Sequence, residues 1–416
     1  MAGRRQLDEQ KQLDSRLAAP GPKRLLAIDA VAGRGMITAG LLRVLEERLS
    51  RRAGRAVRLC EYYDLIGGVS TGAAAAALLA AGAGADEVGE FFRSIAPPAG
   101  AARDAKSVAG RRSRIDLARA GEALALRFGE ARFDSGTLET GFAAFAVQAD
   151  SGALRLFSPH DPHTPSDMML RDALTASLGG PSPGEPVMVS FGSANGAFED
   201  VGFVDPASVG FVTPALRLLR AATGQGLGLS WPPGDAVLSL MSVGGGAWRS
   251  GLVGLGGGKA DEAAFARAAA VMSASAQNAA FEAVSAIQAI AETPRPWGPD
   301  SAFGDARLTV VPVLHFHRLD AWLDVSALSD LGLTYSSAEV AVLREAASEA
   351  PAEMARMFEI GKRAAAASLG EAGSEAEALV LPARFDPPRF ADRTAGAPRI
   401  RLQALARAFE RRGEEI

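Results

Sequence analysis

Apolar residues run in short blocks near the start of this chain, and the blocks alternate between two periods. Lys23 to Asp29 is a continuous apolar run with a polar end, which predicts a first strand. After the turn Ala30 to Gly35, residues Ile37, Leu41, Leu42, Leu45 and Leu49 recur at helical spacing, with Arg43, Glu46, Glu47 and Arg48 between them. This predicts a helix over Met36 to Leu49 with one face on a sheet. Asp64 to Val69 repeats the strand pattern and Thr71 to Ala81 the helix pattern. Strands that are apolar throughout, in β-turn-α order, imply a parallel sheet covered on both faces.

Further along, Asp86 to Ile95 reads as a short helix with an acidic start, and Pro97 to Arg114 as a loop. Gly141 to Ala149 and Leu154 to Ser158 read as paired strands around Asp150-Ser151-Gly152. A helix over Met168 to Ser177, strands at Val187 to Phe191 and Ala197 to Glu199, a helix over Pro206 to Ala222 and a strand over Ala236 to Val243 follow. From about residue 258 the pattern becomes helical. Ala260 to Glu292 and Ser336 to Ala367 are long runs, with a strand at Leu308 to Phe316 and an amphipathic helix at Arg399 to Arg412. The expected organisation is a leader over 1–22, an α/β domain over 23–257 and a mainly helical extension over 258–416 packed on it.

Composition narrows the class. Of 416 residues, 48% are apolar and 22% charged, as in ordinary globular proteins. A net charge of −4 offers no basic field, which argues against a nucleic-acid partner. One cysteine, Cys60, excludes an internal disulfide and a thiolate metal cluster, and suits a reducing cytoplasm. Met1 to Pro20 is charged and lacks the apolar core of a signal peptide, so a flexible leader is expected. Ala73 to Ala83 is too short to span a bilayer, so any membrane contact is expected to be peripheral.

The candidate chemistry lies at Gly68-Val69-Ser70-Thr71-Gly72, a G-x-S-x-G segment between a strand and a helix. Gly68 and Gly72 relieve crowding at such an elbow, the serine hydroxyl projects from the sheet edge, and the helix amino end favours negative charge. Ser70 is therefore a candidate nucleophile, which needs a base and oxyanion donors. His160 and His163 precede the later strands, contrary to the Ser, Asp, His order of α/β-hydrolases, and His315 and His317 alternate along a predicted strand as a sheet feature rather than a metal pair. A Ser/Asp pair becomes the better arrangement. Gly33-Arg34-Gly35 is only a fragment of a dinucleotide loop, and Gly67 to Gly72 lacks the P-loop lysine, so nucleotide binding is disfavoured and no cofactor is expected.

With these residues the chain resembles the patatin-like phospholipases, lipid acyl hydrolases with a Ser/Asp dyad. The resemblance is carried by Lys23 to Gly35, by Tyr62-Tyr63-Asp64-Leu65-Ile66-Gly67-Gly68-Val69-Ser70-Thr71-Gly72, by Ala176-Ser177 ahead of Pro181, by Phe198-Glu199-Asp200-Val201-Gly202, and by Leu238-Ser239-Leu240 leading to Gly244. It implies a three-layer α/β/α fold with a mostly parallel sheet, Ser70 as nucleophile, and Asp200, at the position of the family's D-G-G/A motif, as its activating aspartate. It also implies a lipid or acyl-ester substrate.

Two departures matter. Where the family has D-G-G-G-x-R-G, whose amides form the oxyanion hole, this chain has Asp29-Ala30-Val31-Ala32-Gly33-Arg34-Gly35. The family's D-G-G is Asp200-Val201-Gly202, and Asp205-Pro206 is at best a shifted trace of the N-N-P that usually follows. In an active hydrolase the oxyanion donors are expected from Ala32, Gly33, Arg34, Gly35 and Thr71, with the loop turning at Gly33 and Gly35 and negative φ at Ala30, Val31 and Ala32. The alternative is a catalytically impaired relative that binds lipid or protein, with Val31 filling the pocket or the loop amides turned away.

Overall fold

A computed structural model describes residues 11, 13–96, 115–180, 184–192, 198–249, 260–298, 307–345 and 350–390. The expected Pro97 to Arg114 loop and the Arg399 to Arg412 helix lie outside the described residues.

Among the described residues eight strands form one sheet: β1 (Lys23–Ile28), β2 (Leu65–Val69), β3 (Gly141–Gln148), β4 (Leu154–Phe157), β5 (Val187–Gly192), β6 (Phe198–Val204), β7 (Leu238–Val243) and β8 (His315–Leu319). Their order is β5-β6-β3-β2-β1-β7-β8, with β4 paired to β3. Strands β3, β2, β1, β7 and β8 are mutually parallel. Strands β4 and β6 each pair antiparallel with β3, and β5 antiparallel with β6.

The apolar strands are buried on both faces. Leu26, Ile28 and Ile66 enter one core with the helices α1 (Gly35–Ala53), α2 (Thr71–Ala80) and α3 (Ala85–Ser94). Leu25, Ala27 and Leu65 enter a second core on the opposite face. On the first face, α4 (Leu117–Phe128) and α5 (Leu170–Leu178) complete the layer, and on the second lies α6 (Ala215–Thr223). The result is a mixed α/β fold with a central, mostly parallel sheet between helical layers.

Described residues just ahead of β1 pack on the body. Leu13 and Leu17 are buried in the second core, and the Arg16 guanidinium donates to the carbonyls of Cys60 and Tyr63 at 2.9 and 2.7 Å. Residues after 258 also contribute a strand to the sheet, because β8 pairs with β7. That strand begins at His315 rather than Leu308. Pro312 lacks a ladder donor, and Leu308, Val310 and Val311 are exposed.

Proline divides two of the long expected helices. Pro206–Val209 is a short 3₁₀ turn, and α6 starts only after Pro214. The C-terminal run divides into α8 (Ser337–Glu345) and α9 (Pro351–Leu369), with proline at the first position of α9. Helix α7 (Ala260–Gln288) precedes them and reaches the carboxyl edge of the sheet. Among the described residues no helix is long and apolar enough to cross a membrane.

Candidate active site

Ser70 caps the amino end of α2 at φ 56° and ψ −130°, an uncommon conformation for a residue with a Cβ. The elbow closes because its flanks are bare. A Cβ on Gly68 would run into the Gly72 carbonyl, and one on Gly72 into the Asp29 carbonyl. The Ser70 amide donates to Ser177 Oγ at 2.9 Å, and that hydroxyl donates to the Phe145 carbonyl at 2.6 Å. Residue Ser177, on α5, thus ties the elbow to β3.

The Ser70 hydroxyl donates to Asp205 Oδ2 at 2.9 Å. It does not meet Asp200, the aspartate expected from the sequence. Asp200 is exposed, faces Ser190 across the β5–β6 ladder, and accepts a hydrogen bond from the Ser190 hydroxyl. The register supplies the physical reason. Val69 pairs with Phe145 and Val204 with Val147, so the residues that follow, Ser70 and Asp205, reach the level of Ala146 from opposite directions. Strand β6 approaches from beyond the sheet edge, and Asp200 lies five residues, about 17 Å of strand, further out. The available signal was Asp205-Pro206, an aspartate followed by a turn-starting proline.

Asp205 Oδ1 accepts from the Ala207 amide at 2.8 Å, which fixes the carboxylate. Burial pushes its pKa up to about 7, against the hydrogen bonds from Ala207 and Ser70. Oδ1 is therefore held in place while Oδ2 faces the serine.

The expected oxyanion loop takes a different course. Positive φ falls on Ala32, at 46°, while Gly33 and Gly35 do not adopt it. The amides of Val31 and Ala32 both donate to Thr71 Oγ1, at 3.1 and 3.0 Å, and the Arg34 amide donates to the Val31 carbonyl. Val31 itself is buried in the first core against Gly245, not in the cavity beside Ser70. The Arg34 guanidinium donates to the carbonyls of Gly245 and Arg344 and lies over Trp248, 4.6 Å from the ring centroid. The Thr71 amide starts α2 and has no acceptor within the helix, so it is a donor at the helix's positive end.

Ser70 and Asp205 line a cavity of about 260 Å³ at the carboxyl edge of the parallel strands, where open α/β sheets place their sites. Its floor holds a buried ion cluster that sequence reasoning missed. Arg318 Nη2 donates to Asp29 and Asp320, each at 2.6 Å, and Nη1 donates to Ser242 at 2.7 Å. Asp320 also accepts from the Gly246 and Ala321 amides. Burial raises the pKa of Asp29, while Arg318 opposes the shift. The cluster ties the ends of β1, β7 and β8 together.

His315 and His317 lie outside the cavity lining and are engaged elsewhere. His315 Nε2 lies 3.1 Å from the Val380 carbonyl, and His317 Nε2 2.8 Å from Ser368 Oγ. Among the described residues no cluster of three or more His, Cys, Asp or Glu side chains could hold a metal.

Residues 26–184 match the patatin-like phospholipase family. Over 65 residues the chain is 46% identical to "Patatin-like protein 1" of Oryza sativa subsp. indica; the match spans 15% of this chain and 16% of that protein. The crystal structure of VipD from Legionella pneumophila aligns with 85% of this chain and 67% of its own, at 13% identity and a TM-score of 0.34. Over residues 26–184 the chain is thus similar to the patatin-like phospholipases, and its match spans less than a fifth of the curated relative's length.

Proposed function

We propose that this chain is a serine acyl-ester hydrolase acting on lipid esters, with Ser70 as nucleophile and Asp205 as general base. The observation that carries the reading is the 2.9 Å hydrogen bond from Ser70 Oγ to Asp205 on a strained elbow at a cavity wall. Ser70 Oγ attacks the ester carbonyl while Asp205 accepts its proton. The tetrahedral oxyanion faces the Thr71 amide and the amino end of α2. Collapse expels the alcohol, which takes the proton from Asp205. A water then loses a proton to Asp205, attacks the acyl-serine and releases the acid, and the proton returns to Ser70.

A second reading, an impaired relative that binds without turnover, is favoured by one observation. The Val31 and Ala32 amides, which would serve an oxyanion, are engaged by Thr71 Oγ1. Loss of one such donor costs about 10²- to 10³-fold in rate. Labelling with a fluorophosphonate probe separates the two. The hydrolase reading expects covalent labelling of wild type at Ser70 and none of Ser70→Ala; folded wild type that resists the probe contradicts it.

A further inference from the structure

Helix α7 presents a regular apolar stripe to the cavity, Met272, Ala276, Ala280 and Val284 at steps of four, with Phe281 and the polar Ser273 and Gln277 beside it. The stripe spans about 18 Å at the helical rise per residue. Exposure falls from 61% at Met272 to 2% at Val284, so the stripe runs from the surface into the second core. Phe281 and Trp297, with ring centroids 5.9 Å apart, also line the cavity, and Trp297 is backed by Trp322, stacked at 4.9 Å.

The lining cations are not turned to a ligand. Arg318 is spent on Asp29, Asp320 and Ser242, and Arg34 on the Gly245 and Arg344 carbonyls. What remains along α7 is a wall shared with Ser70 and Asp205, mostly apolar at Met272, Ala276, Ala280, Phe281 and Val284, with Ser273 and Gln277 as its polar members. Ala276 and Ala280 are half-buried, so their missing bulk is a trough in that wall rather than core packing.

We propose that the hydrocarbon chain of a single-chain ester lies in this trough along α7, and that Ala276 and Ala280 are the residues whose small size admits it. The proposal rests on the hydrolase reading for its ester, and on the trough alone for its chain. A phenylalanine at either position fills the trough midway and shortens the chain that fits.

The test measures kcat/KM for p-nitrophenyl butyrate, octanoate, laurate and palmitate in wild type, Ala276→Phe, Ala280→Phe and Ala279→Phe. Ala279 is exposed and outside the cavity lining. One methylene in an apolar pocket is worth about 10- to 200-fold. The proposal expects the laurate-to-butyrate ratio to fall at least about tenfold in both cavity variants and to hold in Ala279→Phe. An unchanged ratio in folded Ala276→Phe and Ala280→Phe, with wild-type melting curves, overturns it. A second readout needs no turnover. Dodecanol titrated into Ser70→Ala protein should shift tryptophan emission through Trp297, and the added Ala276→Phe or Ala280→Phe change should abolish the shift. Emission that responds in this way without any hydrolysis keeps the trough and removes the hydrolase; no response in Ser70→Ala removes the trough.

Discussion

Ser70 and Asp205 meet at one level of the sheet from opposite directions, Ser70 leaving β2 and Asp205 arriving on β6, and their side chains close to 2.9 Å. The antiparallel return of β6 is what brings an aspartate 135 positions away to the serine. A carboxylate placed so, and buried enough to titrate near neutrality, sets the first expectation.

With the pKa of Asp205 pushed up to about 7 by burial, the base form predominates only above that pH. The profile of kcat/KM should therefore rise through about pH 7 and level above it. The stability sign is the reverse. Between the ordinary carboxylate range and about 7, the native state holds a proton that the unfolded chain has lost, so Asp205 makes stability fall as pH rises through that window. Asp205→Asn should melt no lower than wild type at pH 8; a lower melting temperature by calorimetry contradicts this linkage.

Ser177 positions the nucleophile without touching a substrate. Ser177→Ala leaves the buried Ser70 amide and the Phe145 carbonyl without their partner, at a cost of about 1–3 kcal/mol. Urea denaturation should show that loss. The rate effect should appear in kcat more than in KM, since the elbow is displaced and the cavity is not.

The loop after β1 makes opposite demands at adjacent residues. Ala32 sits at positive φ, so Ala32→Gly should stabilise the fold, by about 0.5–1 kcal/mol. Val31 is fully buried in the first core, so Val31→Gly should destabilise it by roughly 2 kcal/mol or more. Chemical denaturation of the two single variants checks both signs. A triple glycine loop would therefore lose packing whatever it gains in donors.

Acid should weaken the fold through the buried histidines. Burial lowers the pKa of His317 to about 3 and that of His315 in the same direction. The unfolded chain takes up these protons below about pH 6.5 and the native state does not, so stability falls as pH drops from there. The slope is at most about 1.4 kcal/mol per pH unit for each histidine. His317→Gln should flatten the stability curve between about pH 6.5 and 3 in urea titrations; an unchanged slope would show that His317 titrates in the native state.

The sheet and the elbow were legible in the residues because both are local. Continuous apolar strands such as Lys23–Ile28, and a G-x-S-x-G between strand and helix, report their own surroundings. Beyond the weak Asp205-Pro206 signal the role of Asp205 was not legible, because its place depends on where β6 ends relative to β3, and a pairing register between segments leaves no mark in either. The Asp200-Val201-Gly202 triplet drew attention by its pattern while standing mid-strand. The Asp29–Arg318–Asp320 cluster was hidden for a similar reason, since Asp29 and Arg318 are 289 residues apart and join only where β8 completes the sheet. Val31 misled in another way. Its bulk is incompatible with a glycine loop but compatible with the core, into which the altered loop turns it.

The most direct test of the account compares ester hydrolysis by wild type, Ser70→Ala, Asp205→Asn and Asp200→Asn on p-nitrophenyl butyrate at pH 8. The account predicts activity in wild type and near-wild-type kcat/KM in Asp200→Asn. It predicts a loss of at least about 10²-fold in Asp205→Asn, the lower range for removing a positioned base, and background rates in Ser70→Ala. Full activity in Asp205→Asn, or a collapse in Asp200→Asn with Asp205→Asn unaffected, would contradict it.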